Sequence, residues 1–268
     1  MAGDQPWPVI LLPGAILPAE LAYPALLAEL GADVDARPKD LEMYAGPTIP
    51  PPGYSLSTEV DGIRRVADDS SFETFHLVGY SGGGACAIAF AARHPDRLRS
   101  LALMEPAWAG RDGQTPAEAA VYERLWAIPA LPPDEIMPAF VRIQLGPGVE
   151  PPPARPGPPP PWMPARLASI GGFTRSFRDY EPDWNALRDF DRPVYYALGG
   201  RSNQDLCGRI ADRLTSVFPD FTVEVFADRH HFDPPHRIEP ARLASSLRGL
   251  WTRAEAGERG GIARTTRA

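Results

Sequence analysis

Short apolar runs recur along the chain with amphipathic stretches between them. The run at 8–12, Pro8-Val9-Ile10-Leu11-Leu12, is continuous and ends at Pro13-Gly14, the pattern of a strand buried on both faces. Runs at 75–78, 98–104, 192–198 and 221–226 predict further strands, and 32–36 a weaker one. Helical spacing fills the gaps. Leu21, Ala25, Leu26 and Leu30 form a stripe over 18–30 closed by Gly31, and Leu243, Leu247 and Leu250 form another over 239–254. Stretches 57–69, 85–94 and 205–218 also predict helices. Strand alternating with helix predicts an α/β fold: a mostly parallel sheet, right-handed crossovers, and helices on both faces.

The alternation lapses between 107 and 191, where helical pieces at 115–128 and 133–145 are followed by a proline-rich stretch at 147–161. Proline has no N–H and a fixed φ, so that stretch predicts an extended loop. The organisation expected is a core domain from 1–106 and 192–256, a helical, proline-rich insertion at 107–191, and a disordered polar tail at 257–268. Residues 37–53 read as loop.

Composition narrows the function classes. A 268-residue chain with 44% apolar and 23% charged residues is an ordinary globular protein, and its net charge of −7 argues against nucleic acid and anionic membrane as partners. A small-molecule substrate is the partner expected. Cys86 and Cys207 are too isolated for a disulfide framework and read as buried thiols. The start Met1-Ala2-Gly3-Asp4-Gln5 lacks a signal peptide's cationic region, and no run reaches membrane-spanning length, so a cytoplasmic location is expected. His230, His231, Asp233 and His236 are the densest group of metal-ligand residue types, but their spacing matches no metal template, and no metal or cofactor is expected.

The candidate chemistry lies at Gly79-Tyr80-Ser81-Gly82-Gly83, which fits G-x-S-x-G between a predicted strand and a predicted helix. A turn that lifts Ser81 above the sheet brings its neighbours so near adjacent backbone that a Cβ at Gly79 or Gly83 would clash. The hydroxyl then lies beside the unpaired N–H groups that open the helix, where a developing oxyanion is favoured.

This turn and the order of elements together resemble the α/β-hydrolase superfamily over roughly residues 6–254. The resemblance implies a helical cap at the insertion and a serine hydrolase with Ser81 as nucleophile. A serine hydroxyl needs a base. His230 and His231 lie in the loop after the last strand, where the family carries its histidine, and His231-Phe232 matches the family pattern better. The family's common aspartate turn reads Gly199-Gly200-Arg201-Ser202-Asn203-Gln204-Asp205 here, with no carboxylate at the expected place. Two acids remain open: Glu105, at the strand end where a group of haloalkane dehalogenases takes its acid, and Asp205, which as a helix N-cap has a structural explanation. Ser81 excludes the alkyl-ester chemistry of those dehalogenases. By the same resemblance the oxyanion donors are the N–H of Gly82 and of Ala15, or of Ile16 if the register shifts. Trp108 and Tyr80 are expected at the substrate pocket, with Trp126, Trp162, Trp184, Phe140, Met137 and Met163 packing or roofing it. The activity expected is cleavage of an ester, lactone or related acyl compound with an apolar group. A lyase, C–C hydrolase or cofactor-free peroxidase on the same residues, or a non-catalytic binding protein on this scaffold, are the alternatives.

Overall fold

The computed structural model describes residues 5–153 and 157–265. The first four residues, a short piece of the proline-rich loop and the last three residues of the expected tail lie outside the described residues. Strands β1 (Trp7–Leu12), β2 (Val34–Pro38), β3 (Phe75–Tyr80), β4 (Leu98–Met104), β5 (Val194–Gly199) and β6 (Phe221–Phe226) form one sheet in the order β2-β1-β3-β4-β5-β6, with every neighbouring pair parallel. Helices α1 (Ala19–Ala22), α2 (Pro24–Leu30), α3 (Leu56–Asp69) and α4 (Gly82–Arg93) come before the insertion. Within it lie α5 (Pro116–Ala127), α6 (Pro133–Gln144), α7 (Met163–Arg178) and α8 (Trp184–Arg188). After it come α9 (Arg209–Thr215), α10 (Pro235–Ile238) and α11 (Pro240–Thr265).

The core explains the apolar runs. Ile10 and Leu12 of β1 pack with Ile63, Phe90, Ile210 and Leu214 on one face of the sheet. Val9 and Leu11 pack with Leu26, Leu30, Leu243, Leu247 and Trp251 on the other. Both faces are covered, so successive side chains are equally apolar. Stretch 37–53 is largely irregular, as expected, and is ordered by Glu59 of α3. That buried carboxylate accepts from the N–H groups of Glu42 (2.9 Å) and Met43 (3.0 Å) and from the Tyr54 hydroxyl (2.7 Å). Among the described residues no helix is long and apolar enough to cross a membrane.

Three elements differ from the sequence pattern. The stripe over 18–30 is two helices, because Pro24 opens α2 without an N–H to continue α1, and the chain steps at Tyr23, whose hydroxyl donates to Leu12 O (2.5 Å). The helix predicted over 205–218 begins as a π-helical turn, Gln204–Gly208, capped by Asn203 Oδ1 accepting from the Asp205 N–H, and passes into α9. Helix α11 continues to Thr265, through residues expected to be a disordered tail. No proline interrupts it after Pro240, and Glu255 is tied to Arg99 (2.7 Å).

The turn that carries Ser81 depends on close backbone approach. Gly83 N–H donates to Pro13 O (3.0 Å), and a Cβ at Gly83 would fall 2.5 Å from that oxygen and 2.6 Å from Leu12 Cβ. A Cβ at Gly79 would fall 2.6 Å from Gly83 O. Gly249 on α11 has open space around it. Gly83→Ala is therefore expected to lower unfolding stability by about 1–3 kcal/mol, as overpacking does. Gly249→Ala should leave stability unchanged or raise it. Urea denaturation of the two variants checks the contrast.

Two histidines are enclosed within the fold. Burial pushes His76 on β3 down to about 4 and His236 on α10 down to about 3, the latter helped by the charge on Arg237. Both stay neutral where an unfolded imidazole, titrating near ~6.5, binds a proton. The unfolded state thus holds more protons between those values, and stability present above pH ~6.5 is lost as pH falls. Each histidine should contribute a slope of about 1.4 kcal/mol per pH unit over that window. Denaturation at pH 7 and pH 5 should show the loss, and His236→Phe should reduce it.

Candidate active site

The site is assembled at the carboxyl ends of β3, β4 and β5 and in the loop after β6. Strands β3 and β4 pair Tyr80 with Met104, so the next residue on each, Ser81 and Glu105, emerges at the same level. Both then take a positive φ, Ser81 at +52° and Glu105 at +44°, which non-glycine residues adopt only when their surroundings impose it. Hydrogen bonds do so here. Ser81 N–H donates to Met104 O (3.0 Å), and Ala107 N–H donates to Ser81 O (2.8 Å), so the two turns brace each other.

His231 joins them. Its Nδ1 lies 2.9 Å from Glu105 Oε2 and its Nε2 lies 3.0 Å from Ser81 Oγ. A carboxylate can only accept, so Nδ1 carries the proton and Nε2 is left to accept from the serine hydroxyl. The other carboxylate oxygen, Oε1, accepts from the Gly199 N–H at the end of β5 (2.7 Å). All three side chains are buried. The Glu105 charge also reaches its neighbours: after burial itself, it is the next cause holding the Tyr80 phenol far above its ordinary value.

The structure brings Ser81, His231 and Glu105 together and leaves the competing residues apart. His230 turns away, its Nδ1 accepting from the Phe232 N–H (3.2 Å). Asp205 is exposed at the start of the π-helical turn, its N–H capped by Asn203. Asp233 pairs with Arg229 (2.7 Å), and His236 packs at a tilt between Tyr23 and Tyr80, so the group around His230 does not converge. Glu105, Cys207 and His231 do offer an oxygen, a sulfur and a nitrogen within 4.8 Å of one another. That histidine nitrogen and that carboxylate are already committed to each other, and burial pushes the Cys207 thiol far up, so the set fits hydrogen bonding rather than metal ligation.

The two expected backbone donors lie close together beside the serine. The Cβ position of Gly82 lies 3.5 Å from Ala15 N, and both residues line the cavity in front of Ser81, whereas Ile16 does not. Among the described residues no protein acceptor meets the N–H of Ala15 or of Gly82. The Tyr44 hydroxyl donates to Ala15 O and thereby fixes the turn.

The cavity itself is roofed by the insertion. Tyr122, Leu125 and Trp126 come from α5, Phe140 and Gln144 from α6, Ile170, Phe173, Thr174 and Phe177 from α7. Its volume is about 50 Å³, against the ~150 Å³ of an apolar cavity that admits benzene. A roomier polar groove lined by Trp7, Asp35 and Arg99 lies at the opposite end of the sheet, remote from Ser81.

The expected pocket residues need correction. Trp108 is one layer behind the wall: it packs edge-on against Tyr122 (4.7 Å between centroids) and donates from Nε1 to Tyr180 O (2.9 Å). Tyr80 is behind the histidine, its ring 5.2 Å from that of His231 and its hydroxyl donating to His231 O, so it clamps the imidazole and does not line the cavity. Of the other aromatic and methionine residues expected there, Trp126 and Phe140 line the cavity, and Trp162, Trp184, Met137 and Met163 do not. The wall residues Tyr122, Ile170, Phe173 and Phe177 lie on helical faces whose apolar spacing could have marked them, whereas nothing in the pattern singles out Gln144.

Comparison with known proteins agrees with this architecture. The family model described as alpha/beta hydrolase fold matches residues 37–141. No curated protein matches the chain in sequence. Among solved structures the chain is similar to a thermophilic esterase from Thermogutta terrifontis, at 15% identity, TM-score 0.67, covering 94% of this chain and 91% of that one. It is similar to naproxen esterase from Bacillus subtilis, at 17% identity, TM-score 0.62, covering 92% and 84%. A meta-cleavage product hydrolase from Pseudomonas fluorescens aligns at 17% identity, TM-score 0.63, covering 94% and 92%. With its parallel sheet, its strand–turn–helix at Ser81 and these likenesses, the chain has the fold of the α/β-hydrolase superfamily.

Proposed function

We propose that this protein is a serine hydrolase that cleaves an ester, lactone or related acyl compound bearing an apolar group, through an acyl-enzyme intermediate. What carries the reading is the unbroken hydrogen-bonded chain from Glu105 through His231 to Ser81, opening on an apolar cavity beside two unmatched amides. His231 Nε2 takes the hydroxyl proton as Ser81 Oγ attacks the acyl carbon. The N–H groups of Ala15 and Gly82, which line the same cavity, are the donors for the negative charge that collects on the carbonyl oxygen. His231 then returns the proton to the leaving oxygen, and a water activated by the same imidazole releases the acyl group from Ser81. Glu105 fixes the tautomer and steadies the imidazolium. Esterases among the structural neighbours are consistent with such chemistry.

A serine-directed fluorophosphonate is expected to form one adduct, on Ser81, and Ser81→Ala should lose both the adduct and the turnover of p-nitrophenyl esters. Absence of an adduct in folded wild-type protein refutes the proposal. Glu105→Gln should lower kcat by about 10⁴, roughly 5.5 kcal/mol, because the amide no longer selects the productive tautomer. Asp205→Asn should leave kcat within about twofold. Steady-state kinetics of the two variants separates the acids, and the reverse outcome moves the role to Asp205.

A further inference from the structure

We propose that Gln144 is a specificity residue that reads a hydrogen-bond donor, a hydroxyl or an N–H, on the apolar group of the substrate; the proposal rests on the hydrolase reading above. Gln144 closes α6, is 3% exposed, and lines the cavity. Its side-chain nitrogen donates to Phe140 O (2.9 Å). A carbonyl can accept only from the amide nitrogen, so this bond sets which way the carboxamide is turned and leaves Oε1 as its unmatched end. Among the described residues no donor reaches that oxygen.

The other polar side chains of the roof repeat the arrangement. The Thr174 hydroxyl donates to Ile170 O (2.6 Å), and the Tyr122 hydroxyl donates to Ala107 O (3.0 Å). Each sends its proton to a backbone carbonyl and keeps lone pairs. Away from Ser81 and its two amides, this roof therefore presents acceptors set in an aromatic wall. A ligand carboxylate there would meet lone pairs, whereas a hydroxyl or N–H would find a partner.

Gln144 is also held in place. Asn203 N–H donates to Gln144 O (3.0 Å), Asn203 Nδ2 donates to Ile143 O (2.7 Å), and Gly146 N–H donates to Arg201 O (2.9 Å). These bonds tie the end of α6 to the turn after β5, the strand whose last N–H holds Glu105. The acceptor thus has a fixed position relative to the reacting centre, which is what discrimination by one hydrogen bond requires.

The test uses matched p-nitrophenyl esters that exchange a hydroxyl for a methyl: hydroxyacetate against propanoate, and 4-hydroxyphenylacetate against 4-methylphenylacetate, with 4-carboxyphenylacetate as the anionic member. Wild-type protein should prefer the hydroxyl member of at least one pair about tenfold or more in kcat/KM and reject the carboxylate. Gln144→Met, or Gln144→Leu should the first misfold, should bring that ratio to about one while methyl esters are still turned over. No preference in wild type, or an unchanged preference in the folded variant, overturns the proposal. Binding separates it from the hydrolase reading. In Ser81→Ala, calorimetry should show 4-ethylphenol binding about tenfold more tightly than 4-ethyltoluene, and loss of that difference in Ser81→Ala/Gln144→Met. Equal binding of the two overturns the donor-reading role even if Ser81 is catalytic, and a missing Ser81 adduct alongside a retained difference overturns only the hydrolase chemistry.

Discussion

Everything at this site depends on the parallel register between β3 and β4. Because Tyr80 stands opposite Met104, the chain leaves both strands at one height, and Ser81 and Glu105 are neighbours before any side chain is chosen. Both residues then pass through a backbone conformation costing of order 1–3 kcal/mol, held by hydrogen bonds between the two turns and by the close approach that only glycine at 79 and 83 allows. Given those two fixed points, an imidazole from the loop after β6 needs only to bridge them. Tyr80 presses it into place from behind, through its ring and through a hydrogen bond to the His231 carbonyl.

Placing the acid candidate at Glu105 has a consequence on the next strand. The last residue of β5 contributes a backbone N–H to the carboxylate, and the turn after it contributes no carboxylate of its own. Its residues are free for another task. Ser202 bridges to Leu145 and Asn203 bonds to Ile143 and Gln144, so a turn without an acid becomes the clasp between sheet and insertion. An aspartate at 203 would bring an acceptor where the half-buried Ile143 O needs a donor, and that bond would be lost. The same asparagine caps the π-helical turn through its oxygen, using both ends of its amide.

Much was legible in the sequence. The strand runs, the G-x-S-x-G turn and the steric need for glycine at 79 and 83 follow from local rules, since a strand covered on both faces must be apolar throughout and a tight turn must lack Cβ atoms. Pro24 splits a stripe that looks continuous by a local rule that the apolar spacing hides. Local rules fail where a neighbour distant in sequence decides: the helix at the end of the chain runs on past 254, where Arg99 holds Glu255.

Spacing along the chain therefore determined which residue types could do the chemistry and on which elements they lie: a serine on the turn, a histidine late in the chain, and a carboxylate either at a strand end or at the start of a later helix. Only the tertiary structure decided between Glu105 and Asp205 and between His231 and His230 as partners in one hydrogen-bonded chain, and it exchanged Trp108 and Tyr80 for Tyr122, Phe173 and Gln144 at the cavity wall. The physical reason is range. Backbone conformation and burial pattern are set within a few residues, whereas hydrogen-bond partners and cavity walls are set by strand register and helix packing between distant segments, 150 positions apart for Ser81 and His231.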